Sequence, residues 1–461
     1  MTSARYGASF RDPAGQILEA GDGVIRGLTS AGLKRYTAYR DSGFQTIAES
    51  KGWTVRSEPH PLPSGCTGEF VAALAHERVE YISYPYEWPF SMLKAAALFH
   101  LELNQCAIEH GLKMVDASAY NVQFRGVTPV YIDILSFTGY VENEPWVAHT
   151  QFCEQFLNPL LLSSSTSLPF QALCRGSLEG ISAEDVSGVL SSSSWFSLDA
   201  LVHVHLLARA TKSASKRSCE SLARVRARPV PKSTVRWLMK RLARWIERLE
   251  PKGSNDTRWA TYREGRVAYG RDDETRCRLV DAFVREHKLR TLVDVGCNDG
   301  KYSEVAVQAG AASVVAIDSD RGALEACYGR SRAGNLPVLP LFQDYCNLSP
   351  DQGWLYGERL RFDRRVAADG LLAYAVLHHL CLGRNVPLEE AVASLTRVAP
   401  RGLIEFVPPD DERARLVTVL KGDLPKYDRQ RFLSALSACA RVVRVTELPD
   451  TKRCVAEYER G

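Results

Sequence analysis

The residues best suited to chemistry lie in the segment 291–300, which reads TLVDVGCNDG. The largely apolar residues 292–295 predict a short buried strand that runs into Gly296 and Gly300, and residues 301–308 are compatible with a helix. Glycine lets backbone N–H groups approach a ligand closely at the positive end of a helix, because a Cβ would block that approach and restrict the turn. The pattern predicts a ligand-binding turn, although dinucleotide-binding enzymes and many structural turns share it.

A second strand supplies the next candidate residue. Residues 313–318 are apolar and β-branched and end in Asp318, which lies 22 residues after Gly296. A carboxylate at the tip of the second strand of such a unit is placed to accept hydrogen bonds from the two hydroxyls of a ribose. The spacing therefore predicts a ribose-binding carboxylate at Asp318.

Three more strands follow at helix-length intervals. Residues 338–342 lead to Asp344, residues 371–376 follow Asp369, and residues 402–407 end at two prolines. Strands that alternate with helical segments every 25 residues or so specify a parallel, doubly wound α/β sheet, whose ligand lies at the carboxyl ends of the strands.

Together these motifs resemble the class I S-adenosylmethionine-dependent methyltransferases over about residues 255–461. The resemblance rests on DVGCNDG at 294–300, Asp318, Asp344 and DGLLAYAVLHH at 369–379. It implies a Rossmann-like domain that binds S-adenosylmethionine, with the glycine turn facing the methionine part, Asp318 holding the ribose, and Asp344 with Tyr345 meeting the adenine. The implied cofactor-binding residues are Asp294, Gly296, Cys297, Asn298, Gly300, Tyr302, Asp318, Ser319, Asp344, Tyr345 and Asp369. A dinucleotide-dependent dehydrogenase is the main rival, but it would more typically carry a third glycine in Gly-x-Gly-x-x-Gly.

Candidate catalytic residues follow the fourth and fifth strands. His378 and His379 lie at the rim where a methyl acceptor should bind, and either could be a general base near neutral pH or could only shape the turn. Glu405 could orient the acceptor, which we expect to be an O or N atom of a small molecule, a glycan or a polypeptide. Adjacent histidines point in different directions and no carboxylate cluster accompanies them, so we predict no metal site here. Three aromatic residues before the first strand could close over the cofactor or pack: Trp259, Tyr262 and Tyr269.

The N-terminal half contains a second group of polar residues with a spacing that could support chemistry. After a predicted helix at 93–110 come Asp116, Asn121, a β-hairpin and then Asp133, 17 residues after the first aspartate. In phosphotransfer, one aspartate positions a hydroxyl while an asparagine and a further aspartate hold Mg²⁺ on the nucleotide phosphates. Over about residues 90–140 the chain resembles the kinase or aminoglycoside-phosphotransferase fold, which implies an α+β domain with a possible site for ATP and Mg²⁺.

Several departures from that pattern favour a catalytically silent domain. Met114 replaces the usual basic residue before the aspartate, no Gly-x-Gly-x-x-Gly loop precedes the segment, and no Val-Ala-x-Lys strand is visible. Two alternatives stay open. One is a working phosphotransferase, which would make the chain bifunctional, and the other is that Asp116 and Asn121 only cap a turn.

Length and composition indicate two domains and a linker. The chain has 461 residues, and we predict a kinase-like recognition domain at 1–210, a basic linker at 211–254 and the methyltransferase domain at 255–461. Within the linker, residues 234–249 form a basic amphipathic helix that could bind a membrane or RNA, but we favour packing on one of the domains.

Charge and cysteine usage exclude several classes of protein. A net charge of +4 gives no sign of nucleic-acid binding. Twelve cysteines without any Cys-x-x-Cys pair predict reduced thiols rather than disulfides or zinc. The N-terminal residues lack an apolar core and no run of 18 apolar residues occurs, so we expect no membrane span and a cytoplasmic protein.

Overall fold

The computed structural model describes residues 9–20, 23–64, 66, 68–214, 229–253, 271–418 and 426–461. The chain divides into two compact units, one comprising Met1–Lys252 with Asp351–Leu360, the other Gly253–Pro350 with Arg361–Gly461. The aromatic residues Trp259, Tyr262 and Tyr269 and the basic residues at 215–228 lie outside the described residues. In the part that is described, no helix is both long and apolar enough to cross a membrane.

The first unit has an α+β architecture. Its four-stranded antiparallel sheet has the order β1 (Gly15–Ala20), β2 (Gly23–Leu28), β4 (Ala72–His76), β3 (Ser57–His60). Two smaller antiparallel pairs follow, β5 (Leu112–Met114) with β8 (Phe137–Gly139) and β6 (Val122–Arg125) with β7 (Thr128–Tyr131). The second pair is the hairpin expected between Asn121 and Asp133, and it turns at Gly126 with φ +59°.

Helices make up most of the rest of this unit. They are α1 (Ser30–Asp41), α2 (Phe44–Ser50), α3 (Phe90–Glu109), α4 (His149–Phe152), α5 (Asn158–Thr166), α6 (Phe170–Gly176), α7 (Ala183–Val189), α8 (Leu198–Ala200), α9 (Leu206–Ala214) and α10 (Lys232–Glu247). Short 3₁₀ turns lie at Pro85–Glu87, Ala119–Asn121, Ile134–Ser136, Ser192–Phe196 and Trp354–Tyr356. Two π-helical turns interrupt the helical region, at Cys153–Leu157 and Leu201–His205.

The amphipathic helix α10 belongs to the first unit rather than to a separate linker. It packs on α3 through a stripe of buried residues at helical spacing, namely Val235, Met239, Leu242 and Ile246. Lys94 of α3 donates to the carbonyl oxygen of Leu249 at 2.8 Å, just beyond the end of α10. Burial of this apolar face against α3 explains why the helix folds with the first unit.

The second unit is a doubly wound α/β sheet of seven strands. The order is β11 (Val338–Phe342), β10 (Ser313–Asp318), β9 (Thr291–Val295), β12 (Gly370–Ala373), β13 (Arg401–Phe406), β15 (Cys454–Glu459), β14 (Arg441–Glu447). The first five strands are parallel, and β15 pairs antiparallel with both β13 and β14. Its helices are α11 (Arg271–His287), α12 (Lys301–Gln308), α13 (Arg321–Ala333), α14 (Phe362–Arg365), α15 (Leu388–Val398), α16 (Glu412–Thr418) and α17 (Arg429–Cys439), with a π-helical turn at His379–Gly383.

Two features of this sheet differ from the sequence prediction. The antiparallel hairpin β14–β15 at the edge was not among the predicted strands. Strand β12 also ends at Ala373 instead of residue 376, because Ala375 adopts a left-handed backbone conformation with φ +52° that an extended strand cannot contain.

Candidate functional site

The glycine turn lies at the carboxyl end of β9, the middle one of the five parallel strands. Gly296 has φ +72° and Gly300 has φ +79°, a region that disfavours residues with a Cβ. A Cβ on Gly300 would lie 2.6 Å from Sγ of Cys327, and one on Gly296 would overlap Cγ2 of Val376. Both positions therefore require glycine, because the backbone of the turn packs directly against Val376 and Cys327.

Asp318 stands beside this turn, at the carboxyl end of β10. Its Oδ2 accepts from the backbone N–H of Asn298 at 2.9 Å, and its Oδ1 accepts from the N–H of Asp320 at 2.9 Å. Burial raises the pKa of Asp318, and these backbone hydrogen bonds oppose that rise. Asp318 as a residue is half-buried, the next residue, Ser319, is exposed, and each carboxylate oxygen has a second lone pair that can accept from a ligand.

Asp294 is a buried anchor between β9 and α12. It is 1% exposed and accepts a hydrogen bond from Oγ of Ser303 at 2.6 Å. Burial raises its pKa to about 7, although the Ser303 bond opposes the rise. Cys297 is also buried, at 3% exposure, so these two predicted cofactor residues shape the turn from behind it.

Tyr302 opens α12 on the other side of the turn. Its hydroxyl donates to Oδ1 of Asp273 at 2.9 Å, and Lys301 pairs with the other oxygen of that carboxylate. The Tyr302 ring lies 4.8 Å from the ring of Tyr374, which follows β12. The start of α12 is therefore tied both to α11 and to the segment that carries the predicted histidines.

Asp344 and Tyr345 follow the third strand, at the same edge of the sheet as Asp318. Oδ1 of Asp344 accepts from the N–H of Cys346 at 3.0 Å, and its other oxygen pairs with Arg384 at 2.5 Å. The Tyr345 hydroxyl interacts with Ser394, and burial raises the pKa of Tyr345 to about 12.

The structure corrects the prediction for Asp369. This residue precedes β12, and Gly370 pairs with Leu292 at the start of β9, so Asp369 lies at the amino end of the parallel strands. Its Oδ2 accepts from the N–H groups of Arg290 and Thr291, both at 3.0 Å. These bonds lower its pKa even though partial burial opposes the charge. A residue at this edge is separated from the glycine turn by the length of the strand and cannot contact the same ligand.

The two histidines differ in accessibility. His378 is 1% exposed, and neither of its ring nitrogens has a hydrogen-bond partner among the described residues. Burial lowers its pKa to about 3, with a contribution from the neighbouring His379. His379 is partly exposed, and the two ring centroids lie 4.2 Å apart.

Glu405 is fully buried, with 0% exposure, and both of its oxygens are engaged. Arg276 donates to Oε1 at 2.7 Å, and Arg453 lies 3.5 Å from the same oxygen. Oε2 accepts from the N–H of Ala375 at 2.9 Å, which holds the left-handed residue after β12 in place. The predicted role of Glu405 in orienting an acceptor is therefore replaced by a structural role in shaping the segment that carries His378.

Asp116 and Asn121, two of the three polar residues singled out in the N-terminal half, are in contact in the first unit. Asp116 accepts from the Asn121 amide at 3.1 Å, from Gln151 at 2.7 Å and from the N–H of Ser118 at 2.9 Å. Burial raises the pKa of Asp116, and the nearby charge of Asp133 adds to the rise.

Asp133, the third polar residue singled out in this half, is paired with an arginine of the four-stranded sheet. Arg26 of β2 donates to Oδ1 of Asp133 at 2.6 Å and also pairs with Asp12. Although burial opposes its charge, the two carboxylates raise the pKa of Arg26. The Asp133 carboxylate, which was predicted to hold Mg²⁺, is thus neutralised by a buried guanidinium. Sequence reasoning did not identify this pair, because Arg26 and Asp133 lie 107 residues apart.

Comparison with known proteins identifies the family. No family model matches the chain. Nodulation protein NoeA of Rhizobium meliloti (strain 1021) is 38% identical to it over 458 residues, which cover 99% of this chain and 96% of that protein. The chain belongs to the NoeA family.

Solved structures similar to parts of this NoeA-family chain include several methyltransferases. The N-methyltransferase NodS from Bradyrhizobium japonicum WM9 is 11% identical, with a TM-score of 0.30 over 41% of this chain and 98% of NodS. Magnesium protoporphyrin IX methyltransferase from Synechocystis PCC 6803, crystallised with SAH, is 17% identical, with a TM-score of 0.30 over 43% of this chain and 91% of that one.

Two residues of α11 were missed by sequence reasoning in this member of the NoeA family. Asp273 holds Lys301 and Tyr302 at the start of α12, and Arg276 binds Glu405 and, at 2.8 Å, Asp272. The available signal was the acidic run Asp272, Asp273 and Glu274, which is common at helix N-termini and does not mark a site.

Proposed function

We propose that the chain is an S-adenosylmethionine-dependent methyltransferase whose cofactor binds at the carboxyl edge of the second unit. The observation that carries the proposal is Asp318, a half-buried residue whose carboxylate is fixed by two backbone N–H groups beside a turn whose two glycines have positive φ. A ribose needs such an acceptor, and a glycine turn lets backbone N–H groups approach a ligand closely. Asp344 and Tyr345 at the next strand end are proposed to meet the adenine.

The antiparallel hairpin at the sheet edge supports this cofactor over a dinucleotide. A doubly wound dinucleotide fold continues with a parallel sixth strand, whereas here the sixth position in the sheet is filled by β15, which is antiparallel to β13. The sequence also lacks the third glycine of the dinucleotide fingerprint.

The bound cofactor would supply an electrophilic methyl group on sulfur. The residues of this chain would then bind the acceptor, align it with the methyl group and exclude water. Of the predicted catalytic residues, we propose that His379 is the candidate to accept a proton from an O or N acceptor, because it is partly exposed. His378, with a pKa lowered to about 3, and Glu405, with both oxygens engaged, are proposed to shape this segment.

The acceptor is proposed to be a small molecule, a glycan or a polypeptide. Membership of the NoeA family supports a role in nodulation, which is the process that the relative is named for.

Replacing Asp318 tests the cofactor site. We expect Asp318→Ala to weaken binding of S-adenosylhomocysteine by roughly 10- to 100-fold, because hydrogen bonds to a charged acceptor contribute about 1.5–3 kcal/mol. Isothermal titration calorimetry on the full chain measures the change.

Asp320→Ala is the matched control for this variant. Asp320 caps α13 by accepting from the N–H of Ala323 at 2.9 Å, so its loss should lower stability without a comparable loss of affinity. Binding of NAD with no binding of S-adenosylhomocysteine by the wild-type chain would refute the proposed function.

We further propose that the first unit has a kinase-like α+β fold and no phosphotransferase activity. Helix α3, strand β5, the segment from Asp116 to Asn121, the β6–β7 hairpin and Asp133 follow one another in the order that the resemblance implies. A working site would need Asp133 for Mg²⁺, but Arg26 already donates to that carboxylate. The unit is then a recognition domain for the methyl acceptor.

Thermal unfolding with ATP and Mg²⁺ tests whether the first unit binds a nucleotide, as an active phosphotransferase must. A ligand present at 100 times its dissociation constant stabilises a protein by about 2.7 kcal/mol, which would raise the unfolding temperature by several degrees. We expect no such shift. A Mg²⁺-dependent rise that disappears in Asp133→Ala would instead support the alternative of an active ATP- and Mg²⁺-dependent phosphotransferase.

A further inference from the structure

Three potential metal ligands converge in the helical part of the first unit. Nε2 of His149 lies 2.9 Å from Nδ1 of His203, and Sγ of Cys153 lies 3.5 Å from the same Nε2. One ligand atom from each residue falls within 4.8 Å of the other two. No other group of histidine and cysteine side chains is this compact in the described part of the chain.

The backbone around these residues is arranged to bring them together. His149 begins α4, and Cys153 lies four residues later, so that both side chains point from the same helical face. Cys153 opens one π-helical turn and His203 lies within the other. Such turns are rare and occur frequently at functional sites, because the extra residue per turn redirects side chains.

We propose that His149, Cys153 and His203 form a zinc-binding site. Zinc is bound by histidine nitrogen at about 2.0–2.1 Å and by cysteine sulfur at about 2.3 Å in tetrahedral geometry. These bond lengths place a sulfur and a nitrogen ligand about 3.6 Å apart and two nitrogen ligands about 3.3 Å apart. The observed Cys153–His149 separation of 3.5 Å matches the first value, and the two histidines need to separate by about 0.4 Å from their 2.9 Å.

Burial suits the three groups to this role. Cys153 is 0% exposed and His203 is 1% exposed, whereas His149 is partly exposed and offers an ion a path from solvent. The 2.9 Å contact between the two rings requires one imidazole nitrogen to act as an acceptor, and such a lone pair is what binds a metal ion. The nearby charge of Arg241 is paired with Asp199.

Zinc binding releases one proton from this site. In the metal-free protein the ring N–H of one imidazole donates a hydrogen bond to the ring nitrogen of the other at 2.9 Å. On binding, that proton moves to the other nitrogen of its own ring, the thiol of Cys153 releases one proton to solvent, and three bonds to the ion form. Three protein ligands leave a fourth position for water, as in zinc sites that are not purely structural.

Metal content and cobalt spectroscopy on the full chain test the proposal. Protein expressed with added zinc and purified without chelators should contain about one zinc per chain. After chelation and titration with Co²⁺, it should show the visible bands of a tetrahedral ion and a near-ultraviolet thiolate-to-cobalt band. Cys153→Ser should lose the second band and keep the visible bands. His203→Gln should weaken Co²⁺ binding at least about 100-fold, since loss of an outer-shell partner alone costs 10- to 100-fold.

Two matched variants separate this site from general effects on folding. His205→Gln changes a histidine of the same π-helical turn, whose nitrogens contact Ser187 and Ser194, both at 2.8 Å. Cys174→Ser changes another buried cysteine of the unit. Both should keep the metal and both cobalt signals. The proposal is overturned if wild-type protein binds no more Zn²⁺ or Co²⁺ than the His149→Gln/Cys153→Ser/His203→Gln variant, or if Cys174→Ser removes the thiolate band. In that case the His149–His203 contact is only a hydrogen bond in the core. The wild-type measurement decides this even if a variant fails to fold.

Discussion

Glu405→Gln should lower the free energy of unfolding of the second unit by about 3–5 kcal/mol, because removing the fully buried carboxylate of this ion network leaves Arg276 with only Asp272 and Arg453 with only Asp411. Arg276 and Arg453, at 4% and 5% exposure, both face the Glu405 carboxylate. The substituted amide can still accept the N–H of Ala375, but its NH₂ group would oppose the two guanidinium groups. Urea denaturation of the full chain followed by far-ultraviolet circular dichroism measures the loss.

Glu459→Gln is the control for the charge change. Glu459 lies at the end of β15 and pairs with Arg401 at 2.5 Å and with Arg441 on the exposed edge. Exposed ion pairs contribute little, so the denaturation midpoint should stay close to that of the wild type. If Glu405→Gln were as stable as Glu459→Gln but had lost methyl transfer, Glu405 would be a catalytic residue after all, and the structural role argued above would be wrong.

Gly296→Ala should abolish measurable binding of S-adenosylhomocysteine, a loss of more than about 100-fold. An alanine at φ +72° costs about 1–2 kcal/mol in backbone strain, and its Cβ would overlap Cγ2 of Val376. The overlap has to be relieved by moving either the turn or the segment after β12, and both border the proposed cofactor site. Calorimetric titration on the folded variant measures affinity separately from stability.

Gly310→Ala provides the matched control for backbone strain. Gly310 has φ +117° and follows α12, and a Cβ there would have no heavy atom within 4 Å. It should therefore lower stability through its backbone conformation while leaving affinity unchanged. Equal losses of affinity in the two variants would show that the effect is general destabilisation, and unchanged affinity in Gly296→Ala would remove the glycine turn from the cofactor site.

Local patterns in the sequence predicted much of the second unit. Strands β10 and β11 and helix α12 begin and end at the predicted residues, because each is an apolar or amphipathic run bounded by glycine, proline or charged residues. The prediction failed for the β14–β15 hairpin, where Arg441–Glu447 is a mostly exposed edge strand and lacks a strong apolar signal. Asp369 was predicted to bind the cofactor because it belongs to the same sequence motif as the histidines. It precedes β12, however, and therefore lies at the amino end of that strand, opposite the glycine turn.

What the sequence determined by itself is the five parallel strands of the second unit and the glycine turn, since these depend on residues close together in the chain. Tertiary structure alone decided which charges and donors meet. Arg276 reaches Glu405 across 129 residues, Arg26 reaches Asp133 across 107, and His149 reaches His203 across 54. Periodicity reports which face of an element is apolar, but the partner of a buried polar group is chosen by packing, because each such group must find its counter-charge or hydrogen bond wherever the fold brings one near.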